Sequence, residues 1–210
     1  MVAIIPDASD KAIADWLEGR VRIALARTTG AVALAVPGGS TPFPILALLA
    51  GRSLDWRRLA FYPTDDRIVP HDHPASNTGK LIALFEPLGA NVCELKLDGP
   101  TSCGAPSPWF ALVWLGMGND GHIASLFPNT DPKADDPHWV RRLTPDPLPP
   151  EAPFDRITLT ITALLNSDEL LFVTRGADKR AVLDAALADA SDLPVARLLR
   201  AADEPVTCFI

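Results

Sequence analysis

Two runs of the chain, residues 31–36 (AVALAV) and 110–115 (FALVWL), contain no polar side chain, and each passes directly into a glycine-containing turn. A strand whose two faces are both covered reads this way, as a continuous apolar stretch without in/out alternation. Further strand-like segments fall at 59–63, 156–162, 169–174 and 205–210, the last expected at a sheet edge. Helical patterns stand between them. Asp7 reads as an N-cap with Asp10 in the first turn, and Ile13, Trp16, Leu17, Val21, Ala24 and Leu25 then form one helical face. Residues 44–50, a short stretch after Ser76-Asn77-Thr78, and a segment opened by Gly176 complete the helices. The proline-rich stretch 129–153 reads as loop. Strands alternating with helices predict one α/β domain over 1–210, built on an open sheet with helices on both faces. Its ligand is expected at the carboxyl ends of the strands.

Charge narrows the partners. The formal net charge is -7 and no basic cluster occurs, which argues against nucleic acid. A chain of this sign must concentrate a few cations locally to hold an anionic metabolite, so single Arg and Lys positions carry information. The N-terminus lacks a signal-peptide pattern and no apolar run approaches the roughly 20 residues of a membrane span, so a cytoplasmic protein without membrane contact is expected. Cys93, Cys103 and Cys208 are odd in number and have no metal-ligand spacing, which predicts free, mostly buried thiols.

Four motifs follow strands. Pro37-Gly38-Gly39-Ser40-Thr41-Pro42 joins a strand to a helix, where backbone N–H groups and a helix N-terminus favour an anion. A tight turn with no ligand explains the same residues equally well. Asp65-Asp66-Arg67, with Ser76-Asn77 beyond it, can fix an arginine for bidentate anion binding, though alone it reads more readily as a solvated turn. Leu115-Gly116-Met117-Gly118-Asn119-Asp120-Gly121-His122 bends sharply off a buried strand. That bend can push an imidazole into a cleft, with Asp120 setting its tautomer. Arg156-Ile157-Thr158-Leu159-Thr160 precedes a strand, Gly176 and Lys179, a lysine placed either for a phosphate or simply for solvent. His71 and His73 have metal-like spacing but no third ligand in evidence, and read as loop.

Taken together and in this order, the motifs resemble the 6-phosphogluconolactonase family, over about residues 38–183. The block Leu115-Gly116-Met117-Gly118-Asn119-Asp120-Gly121-His122-Ile123-Ala124-Ser125-Leu126-Phe127-Pro128 is its most specific part. The resemblance implies a doubly wound, largely parallel sheet and hydrolysis of a sugar-phosphate lactone, a reaction needing no metal or organic cofactor. It implies His122 as general base on water, supported by Asp120. Arg67 and Lys179 would hold the 6-phosphate with the Gly39-Ser40-Thr41 turn, and Asp65 would orient Arg67 or meet sugar hydroxyls. No oligomeric state follows. Two other functions share the resemblance, a glucosamine-6-phosphate deaminase or isomerase and a non-catalytic sugar-phosphate-binding module. In the deaminases a glutamate partners the histidine, and its position here is Phe127. The chain departs from the family in carrying Thr64-Asp65-Asp66-Arg67 for the usual Gly-Asp-Glu-Arg and Ile123 for the usual Thr. Between Asp98-Gly99 and Phe110 there is too little chain for the family's helix, so one flanking helix is expected to be missing.

Overall fold

The computed structural model describes residues 1–97, 103–104, 107–148 and 153–210. The segment expected to lack a helix falls largely at 98–102 and 105–106, outside the described residues.

A seven-stranded sheet organises the chain. Its strands are β1 (Val2–Ile5), β2 (Val32–Val36), β3 (Leu59–Pro63), β5 (Asn91–Val92), β6 (Phe110–Leu115), β9 (Leu170–Val173) and β10 (Val206–Phe209), in the order β1-β10-β9-β6-β2-β3-β5. Every neighbouring pair is parallel. From β2 the chain winds outward through β3 to β5, then returns on the other side of β2 as β6 and continues to β9 and β10. The order therefore reverses between β2 and β6, and the turns leaving their carboxyl ends border a crevice, the usual ligand position in such sheets.

Both faces are covered, which explains the unbroken apolar runs. Val32, Leu34 and Val36 of β2 and Leu112 and Trp114 of β6 meet α1 (Asp10–Arg27), α2 (Pro42–Ala50) and α3 (Asn77–Phe85) through Ile13, Leu17, Ile45, Leu49, Leu81 and Phe85. Ala35, Phe110 and Leu115 face the other way. There they join Leu164 of α4 (Ile161–Leu164), Leu183 and Ala186 of α5 (Ala177–Leu187) and Val195 and Leu198 of α6 (Pro194–Ala201). Burying side chains of this size contributes about 1.5–3 kcal/mol each relative to exposure. The pattern specifies the sheet interior far more strongly than its rim.

The rim holds the corrections. Ser9, not Asp7, caps α1: its hydroxyl accepts from Ala12 N at 3.2 Å, while Asp7 adopts φ 53° two residues earlier. β10 is not an edge strand, because the exposed N-terminal β1 pairs alongside it and takes that place. The proline-rich stretch contains β7 (Val140–Leu143), which joins β8 (Arg156–Leu159) and β4 (Asp65–Arg67) in a second, antiparallel sheet of order β4-β8-β7. Short strands with adjacent charged residues and little in/out alternation, such as Val140–Leu143 and Asp65–Arg67, resemble loop until a distant partner supplies their hydrogen bonds. The expectation of three free thiols is overturned as well. Cys93 and Cys103 form a disulfide, and Cys208 is the free cysteine, buried in the core. An odd count and the absence of metal spacing say nothing about which Cα atoms the fold brings within bridging range.

Candidate active site

The crevice is a cavity of about 400 Å³. Gly39, Ser40, Thr41, Asp65, Arg67, His122 and Lys179 all line it, so residues from four separate stretches of sequence converge there. Asp120 lies just beside it and touches the lining through His122.

The histidine is held by its own turn. Gly118 N donates to His122 O at 2.9 Å, and Gly121 N to Gly118 O at 3.1 Å, closing a tight loop directly off β6. Within it, His122 Nδ1 lies 2.6 Å from Asp120 Oδ1, and His122 N donates to the same oxygen at 3.2 Å. An ionised carboxylate only accepts, so Nδ1 carries a proton, and in the neutral tautomer this contact selects the lone pair is on Nε2. A Cβ on Gly118 would stand 2.3 Å from His122 Nδ1 and 2.5 Å from Asp120 Oδ1, so the pair packs against bare backbone. The next residues form a second bend. Ala124 has φ 49°, uncommon for a side chain of any size, and Ile123 bridges to Met117 and Leu126. Ile123 is fully buried in the core, which accounts for an apolar residue there. Phe127 sets its ring 4.8 Å from that of His122.

The two acids of Asp65-Asp66-Arg67 have different surroundings. Asp66 Oδ1 accepts from Arg67 N at 2.8 Å and Asn77 N at 2.6 Å, while Oδ2 accepts from Thr78 N at 2.8 Å and Ser76 Oγ at 3.2 Å. It thus holds the N-terminus of α3, a position where a carboxylate is stabilising, and its short side chain suffices. Asp65 Oδ2 accepts from the buried Ser125 hydroxyl at 2.5 Å, tying this segment to the histidine loop. Arg67 Nη1 donates to Ala75 O at 3.0 Å and Asn77 Oδ1 at 3.1 Å, so the guanidinium is aimed by these two groups.

Sequence reasoning missed Arg156 as a site residue. It stands directly opposite Arg67 in the antiparallel β4–β8 pair, lines the same cavity and is 3% exposed. It also donates to Phe154 O. Burial, and then the neighbouring Arg67 guanidinium, hold Arg156 below the usual arginine range. Like charges directly across an antiparallel pair are unfavourable; Asp65, Asp66 and Asp155 offset part of the cost, and an anion between the two guanidiniums would offset more. The register that pairs them cannot be read from residues so far apart in sequence. Lys179, in the first turn of α5, has no hydrogen bond or ion pair among the described residues and contributes an available cation. Nearby Arg175 is occupied by Asp10 and Ala8 O at the start of α1. On the turn after β2, Thr41 is the N-cap of α2 but makes no capping bond, leaving its hydroxyl to the cavity.

His71 and His73 lie elsewhere. His71 Nε2 is 3.4 Å from Glu94, and His73 Nδ1 accepts from Ala75 N at 3.1 Å. Among the described residues no group of three or more His, Cys, Asp or Glu could hold a metal ion.

A doubly wound sheet with an acid–histidine pair and clustered cations at its switch point is the arrangement of an enzyme for an anionic metabolite, and comparison with known proteins narrows the class. A family model described as glucosamine-6-phosphate isomerases/6-phosphogluconolactonase matches residues 6–207. The 6-phosphogluconolactonase of Pseudomonas aeruginosa is 36% identical over an alignment covering 91% of this chain and 87% of that protein. That of Mesorhizobium japonicum is 34% identical, covering 97% and 92%. The crystal structure of a 6-phosphogluconolactonase from Shewanella baltica superposes with a TM-score of 0.80 at 28% identity, over 100% of this chain and 97% of that one. The chain belongs to the glucosamine-6-phosphate isomerase/6-phosphogluconolactonase family.

Proposed function

We propose that this protein is a single-domain enzyme that hydrolyses 6-phosphoglucono-1,5-lactone to 6-phosphogluconate, the ring-opening step of the pentose phosphate pathway. The observation that carries the reading is the Asp120–His122 pair beside a cavity that Arg67, Arg156 and Lys179 also line. With Nδ1–H donated to Asp120, His122 Nε2 takes a proton from water as its oxygen attacks C1. The ring C1–O bond then breaks, and the imidazolium returns the proton to the departing oxygen, which becomes a hydroxyl. A general base contributes about 10²–10⁴-fold. The three cations and the Gly39-Ser40-Thr41 turn bind the phosphate, far from the reacting carbon, so that binding energy serves placement. Asp65 is left to accept from sugar hydroxyls at the cavity wall. Ester hydrolysis of an already activated lactone calls for no metal or organic cofactor.

Phe127 favours lactone hydrolysis over deamination. Its phenyl ring packs on His122 where a deaminase of the family would carry a glutamate, and it cannot exchange a proton. Among the described residues no helix is long and apolar enough to cross a membrane. The reading places the enzyme in the cytoplasm, where its anionic substrate would be made and retained. The test is lactone opening by purified protein, corrected for spontaneous hydrolysis. His122→Ala should lower kcat by about 10²-fold or more while 6-phosphogluconate binding persists. Near-wild-type turnover in folded His122→Ala, or ammonia release from glucosamine 6-phosphate at comparable rates, would overturn the assignment.

A further inference from the structure

One buried side-chain amide joins the pieces of the anion site. Asn77, the first residue of α3 and 2% exposed, accepts from Arg67 Nη1 at 3.1 Å through Oδ1 and donates through Nδ2 to Asp65 O at 2.8 Å. Its backbone N–H is fixed by Asp66 at 2.6 Å. The same amide lies under the turn after β2, where a Cβ on Gly38 would fall 2.1 Å from Oδ1 and 2.3 Å from Cγ and Nδ2. That close approach requires glycine at 38 and leaves the amide no room to move. Asn77 therefore touches both ends of β4, at Asp65 and Arg67, and the β2 turn at once.

We propose that Asn77 is a positioning residue for phosphate recognition. It aims the Arg67 guanidinium alongside the Gly38–Thr41 turn and, being neutral, does so without cancelling the arginine's charge. The amide suits both neighbours, since it offers one acceptor and one donor at the same reach. A carboxylate of the same shape would accept from Arg67 but turn a second acceptor toward the Asp65 carbonyl. It would also place a negative charge 3.1 Å from the guanidinium that must attract an anion.

The inference rests on Arg67 as a phosphate ligand, and three variants separate the two ideas. Asn77→Asp keeps the shape beneath Gly38 and adds only charge. Its KM for 6-phosphogluconolactone should rise at least about 10-fold, the smaller end of what a hydrogen bond to a charged group provides. Its kcat should change much less, and its preference for the phosphorylated over the unphosphorylated lactone should fall with KM. Asn77→Ala removes the aim but adds no charge, so its KM should rise less. Calorimetric titration with 6-phosphogluconate and with inorganic phosphate should give the same ranking, and thermal melting establishes that each variant is folded. A merely structural amide predicts the reverse order, with the cavity left by alanine more harmful than the isosteric carboxylate. That order, or an unchanged KM in Asn77→Asp while Arg67→Ala loses the phosphate preference, overturns the inference alone. Retention of the full preference by Arg67→Ala overturns the phosphate reading and this inference with it.

Discussion

Gly118→Ala tests the catalytic geometry without removing any reacting group. The added methyl would lie 2.3 Å from His122 Nδ1 and Cε1 and 2.5 Å from Asp120 Oδ1. Carbon contacts settle at about 3.5–4.0 Å, so the ring and the carboxylate must each retreat by about 1 Å or more. They cannot retreat together, because the same turn holds the His122 backbone through Gly118 N and through Asp120 itself. The 2.6 Å bond between them is therefore lengthened or lost, and the imidazole shifts in the cavity wall that it forms. A displacement of this size costs on the order of 10²-fold in rate when the reacting atoms are otherwise oriented. The phosphate groups are untouched, so 6-phosphogluconate should bind within about threefold of wild type, a difference of under about 1 kcal/mol. Stopped-flow measurement of lactone opening in the presence of a pH indicator gives kcat, and calorimetry gives product affinity. The thermal midpoint should move little, because His122 and Asp120 are 32% and 51% exposed and the loop has solvent to yield into. A folded Gly118→Ala enzyme with wild-type kcat would refute the idea that the Asp120–His122 distance matters to the reaction.

The cysteines offer two further checks. The Cys93–Cys103 bridge closes a loop with a sequence separation of 10, which on chain-entropy grounds corresponds to roughly 2.5–3 kcal/mol. Reduction should thus lower the melting temperature by about 5–10 °C in a chain of this size, and identical melting with and without reductant would remove the bond from the stability account. Burial pushes the Cys208 thiol up to about 11 from its ordinary 9.0. A raised native value means that the unfolded chain loses this proton first, so stability is retained below about pH 9 and declines as pH rises toward about 11. In urea titrations across that window the advantage of the wild type over Cys208→Ala should shrink as pH increases, and parallel curves would contradict the burial argument.

The sequence by itself determined the sheet interior and the chemistry of the turns. Apolar runs such as residues 31–36 and Phe110–Leu115 have no stable alternative to burial on both faces, so the parallel core and the placing of polar residues at its strand ends were legible. His122 beside Asp120, and the Gly39-Ser40-Thr41 turn, were legible too, because each interaction closes within a few residues. The tertiary structure decided whatever depends on distant pairing. It set Arg67 across from Arg156 through β-sheet register, and gave Asp66 to helix capping and Asp65 to Ser125. It brought Asn77 under Gly38, bridged Cys93 to Cys103, and placed β1 rather than β10 at the sheet edge. Local periodicity records which face of an element is buried. It does not record which partner comes to lie opposite, because that is settled only when the free energy of the whole packed arrangement selects one register and one set of neighbours.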